Sequence, residues 1–332
     1  MNRLGVGIVG LNNQGLEHLH AVLGSSSCQL VALCDRDERV LQRAAERVPT
    51  DVERHTSLEA MLASPRVQAV VVALPHALHA WAVEACLSAG RAVLKEKPLG
   101  RTVSESLAML ERAQDAGCVV FTGLQRRHHG TYQTLKEWLA RQPAPVAVAM
   151  QLTVVPRADE RAAPTWRDNA AASGGGALMD LGYHAVDLLH FLLGPLRPLS
   201  CQLWEGERPA PPTASEDRAV VWARAAMCRV RVELGRSTVK QERVELQWAD
   251  GTLVRADRSA VELVQRGESV LLEESDRSWE STMVRQLDDF AAAVRDGHDA
   301  GSNPMEHQLL TQRFLEECYS LSRIQGSAGG PR

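Results

Sequence analysis

Apolar residues follow two rhythms along this chain. Up to about residue 125 they come as short continuous runs, at 6–9, 30–34, 67–74, 92–94 and 118–122. Runs of that length suit strands covered on both faces. Between them lie helix-spaced segments: Leu16, Leu19 and Leu23, then Val40, Leu41 and Ala44. A further helix starts after Pro75 and ends near Gly90, and another spans 104–116 with Gly117 as its stop. Five or six such βα units predict an α/β fold with a doubly wound parallel sheet. After 125 the rhythm changes. One helix, 129–141, precedes strand-like stretches at 146–155, 199–204, 219–222, 228–234 and 243–248. Asp250-Gly251 signals a hairpin between Leu246 and Leu253. Strands that follow one another without helices predict a mostly antiparallel sheet. The proline-rich segment 206–215 reads as a surface loop, 279–295 and 304–324 as amphipathic helices, and 326–332 as a frayed tail. The expected domains are 1–124 and 125–332.

One segment of the second half breaks this rhythm. Gly174-Gly175-Gly176 opens an apolar periodic stretch that Gly194-Pro195 stops. In a helix, Asp180, His184 and Asp187 fall at i, i+4 and i+7 and share a face, while Leu181, Leu188, Leu189 and Leu192 supply a packed one. A mobile glycine entry to a helix bearing Asp, His and Asp suits proton transfer. By spacing alone, a helix start with satisfied polar residues is the plainer reading.

The first strand leads into Gly10-Leu11-Asn12-Asn13-Gln14-Gly15 and then a helix. Strand, glycine turn and helix form the setting of the dinucleotide fingerprint G-x-G-x-x-G. Gly10 and Gly15 match its first and third glycines; Asn12 replaces the second. Asn tolerates a positive φ better than most residues, so the turn can survive. Asp35 closes the second strand twenty residues after Gly15, where a carboxylate accepts from ribose hydroxyls and repels a 2′-phosphate. That favours NAD, although Arg36 beside it can pair with such a phosphate and keeps NADP open. As a plain structural residue Asp35 would cap the next helix, a role Asp37 can also fill. Gly10, Asp35, Pro75, Lys97 and Gln125 all fall at carboxyl ends of strands, where such sheets bind ligands.

Composition narrows the class. The chain has 332 residues, 45% hydrophobic and 23% charged, with a net charge of −4 and no basic block, which argues against nucleic acid. No apolar run approaches a membrane span, and the N-terminus lacks a signal-peptide pattern. Seven scattered cysteines without a Cys-x-x-Cys pair fit reduced thiols in a cytoplasmic protein and give no metal site.

The sequence resembles the Gfo/Idh/MocA family, the group of glucose-fructose oxidoreductase and inositol dehydrogenase. The resemblance rests on Val6-Gly7-Ile8-Val9-Gly10 with Gly15 and His18, Pro75 with Leu78-His79, and the segment 89–94. Its most specific parts are Glu96-Lys97-Pro98, Gln125-Arg126-Arg127, and the glycine run leading to Asp180-x-Gly182-x-His184-x-x-Asp187. It implies an N-terminal Rossmann domain and a C-terminal α+β domain with a large open sheet. It also implies NAD or NADP chemistry on sugars, cyclitols or related small molecules. The cofactor residues would be Gly10, Asn12, Asn13, Gln14, Gly15, Asp35, Arg36, Leu74, Pro75, His79, Glu96, Lys97 and Gln125. Substrate would meet Lys97, Arg126, Trp166, Arg167, Asp180 and His184. His184 would serve as base, Lys97 as partner of the reacting oxygen and Asp180 as the group orienting substrate or His184. Lys95 reads as an ordinary surface lysine. Relatives often have a cis peptide before the equivalent of Pro98. Two other readings stay open: a non-catalytic nucleotide-binding regulator, motivated by Asn12, and an enzyme whose tightly held NAD turns over with no net redox change. One face of the second sheet needs cover, so a homodimer or homotetramer through that sheet is expected. Trp204, Trp222 and Trp248 on its strands read as ordinary core residues.

Overall fold

The structure, a computed structural model, describes residues 3–156, 165–211, 214–236, 239–265, 268–272, 278–297 and 305–328. The chain forms two compact units, Met1–His128 with Ser278–Leu309, and His129–Arg277 with Leu310–Arg332.

The first unit holds six parallel strands: β1 (Leu4–Val9), β2 (Cys28–Cys34), β3 (Glu53–His55), β4 (Ala69–Val72), β5 (Ala92–Glu96) and β6 (Val120–Gly123). Their order, β3-β2-β1-β4-β5-β6, is the doubly wound one. Strand β4, Ala-Val-Val-Val, is completely buried, which is why it reads as an unbroken apolar run. Helices α1 (Asn13–Gly24), α2 (Glu38–Ala45), α3 (Leu58–Leu62), α4 (His79–Ser88) and α5 (Val103–Asp115) connect the strands. Asp37, Ser57 and Thr102 cap α2, α3 and α5 through side-chain oxygens.

One late helix, α8 (Trp279–Asp296), completes this unit. Its Met283, Leu287, Phe290 and Ala291 join the core formed by Val6, Ile8, Leu19, Val22 and Phe121. A domain made of all of 125–332 therefore does not describe the packing. The apolar stripe of α8 belongs to the first unit although its sequence position follows the second sheet.

Among the described residues, the second unit is built on nine strands: β7 (Ala147–Val154), β8 (Arg197–Glu205), β9 (Arg208–Pro209), β10 (Arg218–Ala225), β11 (Cys228–Arg236), β12 (Gln241–Gln247), β13 (Leu253–Ala256), β14 (Val261–Gln265) and β15 (Glu268–Leu272). They run in the order β15-β14-β13-β12-β7-β11-β10-β8-β9. Among the described residues, the strands of this sheet pair antiparallel except β7 with β11. The Asp250-Gly251 turn joins β12 to β13, with Gly251 at φ +87°. Helices α6 (Gly130–Leu139) and α7 (Ala177–Leu193) belong to this unit, as does α9 (Met305–Ala328) from residue 310 onward. Burial alternates along β10: Ala219, Val221, Ala223 and Ala225 are buried, as α7 packs on β7, β10 and β11. On the other face Trp222 is 47% exposed and stacks with Arg231, so it is not a core residue. Trp204 carries the Arg218 guanidinium 4.4 Å from its ring centre, and Trp248 alone of the three is buried.

Of the tail expected at 326–332, residues 326–328 continue α9 and 329–332 lie outside the described residues, as do Pro304 and residues 212–213 of the expected loop. No helix among the described residues is long and apolar enough to cross a membrane.

Candidate active site

At the carboxyl edge of the parallel sheet, β1 hands over to a very tight loop. Gly10 sits at φ +85°, and a Cβ there would lie 2.4 Å from the carbonyl oxygen of Ala73. A Cβ on Gly15 would lie 1.8 Å from the carbonyl oxygen of Gly10. Both positions exclude any side chain. Asn12 is different. Its φ of −83° and ψ of 173° are extended, so no positive φ is needed, and its exposed side chain makes no capping bond. The replacement of the middle glycine leaves the turn unstrained. Helix α1 has no acidic residue in its first turn, where Asn13 is exposed and Gln14 half-buried, and a helix N-terminus favours an anion.

Asp35 braces this loop. Its Oδ2 accepts from Leu11 N at 2.9 Å and its Oδ1 from Asp37 N at 3.0 Å. Capping α2 falls to Asp37, whose carboxylate accepts from Arg39 N at 2.9 Å. Arg36 is exposed beside it. Leu74 and Pro75 are half-buried at the end of β4, and His79 Nε2 bonds the Leu74 carbonyl at 2.8 Å. Burial, then the neighbouring charge of Lys95, holds the His79 imidazole well below its usual range, so it is neutral.

Strand β5 ends in Lys95-Glu96-Lys97-Pro98. The Glu96 carboxylate is buried and accepts from His18 Nε2 at 2.8 Å and Gln125 Nε2 at 3.0 Å. Burial opposes its charge, but His18 and then Lys97 hold its pKa below the usual value. The other Gln125 amide atom, Oε1, is buried without a partner. Lys97 is half-buried, and its bond to Pro98 is cis. Lys95 is completely buried, contrary to its reading as a surface residue. Its Nζ donates to the Glu96 carbonyl at 2.9 Å and to the Pro98 carbonyl. Burial pushes its pKa down to about 7. The signal was available: a lysine inside a strand of a sheet covered on both faces has no route to solvent. Arg126 is buried with its guanidinium 6.0 Å from the Trp279 ring centre, and Trp279 Nε1 donates to Glu17 Oε2 at 3.0 Å.

In the second unit the glycine run is tightly packed. A Cβ on Gly175 would lie 2.0 Å from the Tyr319 hydroxyl, and one on Gly176 would lie 2.1 Å from the Glu216 carbonyl oxygen. Glu216 closes the start of α7. Its carboxylate accepts from Gly176 N at 3.0 Å, Leu178 N at 2.8 Å and Tyr319 Oη at 2.9 Å. Burial outweighs these bonds and raises its pKa. No local sequence pattern marks Glu216 or Tyr319, since each acts across a long chain separation. Gly182 lets α7 approach β11: a Cβ there would meet Leu234 Cδ1 at 3.0 Å. Asp180 and His184 are half-buried one turn apart, whereas Asp187 is buried. Arg167 Nε lies 4.0 Å from Asp180 Oδ2 and its guanidinium 4.7 Å from the Trp166 ring centre.

Thus one edge of the first unit gathers the glycine loop, Asp35, Pro75, the Glu96–Pro98 turn and Gln125. Helix α7 and the turn at 166–168 gather Asp180, His184, Arg167 and Trp166. The residues of the first set fit a dinucleotide: two glycines leave a cradle that any Cβ would fill, and Gln125 offers a buried acceptor.

Residues 4–124 match the family model described as oxidoreductase family, NAD-binding Rossmann fold, and residues 132–254 match the GFO/IDH/MocA C-terminal domain. The chain belongs to the Gfo/Idh/MocA family. Among curated members it is 31% identical over 204 residues to trans-1,2-dihydrobenzene-1,2-diol dehydrogenase of Macaca fuscata fuscata, covering 59% of this chain and 57% of that protein. It is 26% identical over 220 residues to levoglucosan dehydrogenase of Pseudarthrobacter phenanthrenivorans, covering 63% and 56%. The chain thus spans less than two thirds of the length of these Gfo/Idh/MocA relatives. Among solved structures, GenD2 from gentamicin A biosynthesis in complex with NAD is 26% identical, with a TM-score of 0.82 over 98% of this chain and 95% of that one.

Proposed function

We propose that this chain is an NAD(P)-dependent oxidoreductase. It moves a hydride between the nicotinamide and a carbon of a sugar, cyclitol or related small molecule. The observation that carries the reading is the Glu96-Lys97-Pro98 turn at the same sheet edge as the Gly10–Gly15 loop, in a chain whose α7 bears Asp180 and His184. When bound, NAD supplies the hydride acceptor. Gly10, Gly15 and the first amides of α1 hold its pyrophosphate, and Gln125 Oε1 offers an acceptor beside Glu96. Lys97 hydrogen-bonds the reacting oxygen and stabilises the charge that develops there. His184 takes the hydroxyl proton. Asp180, paired with Arg167, orients substrate hydroxyls. The names of the relatives, dehydrogenases of a dihydrodiol and of levoglucosan, support a small hydroxylated substrate.

The test is NADH formation at 340 nm with levoglucosan, D-xylose and myo-inositol, for wild type and Lys97→Ala. Loss of one oxyanion donor lowers turnover by about 100-fold or more, with NADH affinity nearly unchanged. Near-normal turnover in Lys97→Ala would sink the assignment. A bound-cofactor spectrum without net NADH would favour the non-redox reading instead. The regulatory reading, motivated by Asn12, predicts cofactor binding with no NADH formation from any substrate. NAD is preferred over NADP because Asp35 lies at the loop and repels a 2′-phosphate; tighter binding of NADP overturns this. We also propose self-association through the open face of the second sheet, supported by exposed Trp222 and Leu199, with molar mass in solution as the check.

A further inference from the structure

Lysine is scarce here. Only Lys95, Lys97, Lys136 and Lys240 occur among 37 basic residues, and two of the four flank Glu96. Lys95 is completely buried, which is a costly place for an ammonium. An apolar residue would fill β5 at lower cost, so the position needs what only an amine supplies: several donors on a thin stem. Those donors go to two acceptors, the carbonyls of Glu96 and Pro98. These are the carbonyls of the two residues that flank Lys97 in sequence.

We propose that Lys95 is a positioning residue for Lys97: its side chain ties together the carbonyls on either side of Lys97 and so fixes the backbone from which the Lys97 ammonium projects. This deepens the proposed function and rests on it for its catalytic meaning. The charged and titratable groups around Lys95 are Glu96 and Glu105, which favour its ammonium form, and His79, which is neutral and whose ring lies 5.6 Å from that of His76. With burial lowering its pKa to about 7, Lys95 changes charge near neutral pH, which makes the tie observable in the unmodified protein.

The experiment uses protein labelled with 13C at lysine Cε, whose spectrum contains four lysine signals, with NADH as the probe ligand. In Lys95→Met the Lys97 signal should shift or broaden while Lys136 and Lys240 stay in place. The NADH dissociation constant should change by less than about threefold, since the pyrophosphate loop is untouched. A filler role for Lys95 would lower the unfolding temperature and leave the Lys97 signal where it was, and that result in folded Lys95→Met overturns the proposal. Should Lys95→Met not fold, the wild-type titration decides. The Lys95 signal should titrate near pH 7 with the Lys97 signal following at the same midpoint. A Lys97 signal that ignores this titration overturns the proposal. Full turnover in Lys97→Ala would remove the catalytic role of Lys97 and leave the coupling of the two lysine signals unchanged, so the two failures are distinct.

Discussion

Replacing Glu216 by leucine probes how the helix bearing Asp180 and His184 is held. The substitution strips the acceptor from Gly176 N, Leu178 N and Tyr319 Oη, which now donate to Glu216 at 3.0, 2.8 and 2.9 Å. The bond from Ala177 N to the Glu216 main-chain oxygen, 2.7 Å, survives. A buried donor left unpaired costs about 1–3 kcal/mol, so three cost roughly 3–9. Removing a carboxylate from a helix N-terminus adds about 0.3–1 kcal/mol. Against this, the leucine variant escapes the cost of burying the carboxylate, the same burial that raises the Glu216 pKa. The net expectation is a loss of about 3–5 kcal/mol, the usual scale for removing one partner from a buried charged network. Glu216→Gln keeps one acceptor oxygen and should lose about 1–3 kcal/mol. Urea unfolding followed by tryptophan fluorescence suits the measurement, since Trp138, Trp166, Trp204, Trp222 and Trp248 all lie in the second unit. The pH dependence has a definite sign. A raised carboxyl pKa favours the protonated form in the fold, so its contribution is present below the ordinary value of 4.5 and is lost as pH rises through the folded pKa. The gap between wild type and Glu216→Gln should therefore be wider at pH 4 than at pH 7. A cost below about 1 kcal/mol for Glu216→Leu would refute the reasoning, because it would mean the donors find other acceptors.

Two further outcomes are expected. Gly15→Ala should weaken NADH binding by about 100-fold or more in a fluorescence titration, because its Cβ would lie 1.8 Å from the Gly10 oxygen; a change under tenfold would show that the loop yields cheaply. Lowering the Lys95 pKa from 10.5 to about 7 means the unfolded chain binds the extra proton between those values, so wild-type stability should rise relative to Lys95→Met from pH 7 to 10. Denaturant midpoints across that range measure it, and a flat difference would count against burial of the ammonium.

Local signals carried the first sheet, the Gly10 and Gly15 positions, Asp37 as a cap and the limits of the helix at 177–193. Each depends on spacing within one element, which a linear pattern displays. What escaped the pattern depends on partners far along the chain. The glycine run looked mobile because Glu216 and Tyr319, which occupy the space beside it, lie 40 or more residues away. At Asn12 the fingerprint suggested a positive φ that Asn would have to tolerate, whereas the observed backbone at 12 is extended. Trp222 looked like core because strand tryptophans usually are, and only the pairing register shows it on the open face. Lys95 looked exposed because it stands near the end of its strand, whereas its place inside a sheet covered on both faces buries it.

The late arrival of α8 has a consequence for biogenesis. Its Met283, Leu287 and Phe290 are core residues of the unit that opens with β1, with Phe290 packed 5.6 Å from Phe121 between ring centres. During synthesis the ribosome releases the six parallel strands long before it releases this helix. The nascent first unit therefore waits with an uncovered apolar surface while the whole nine-stranded sheet is translated, and it closes only after residue 290 has emerged.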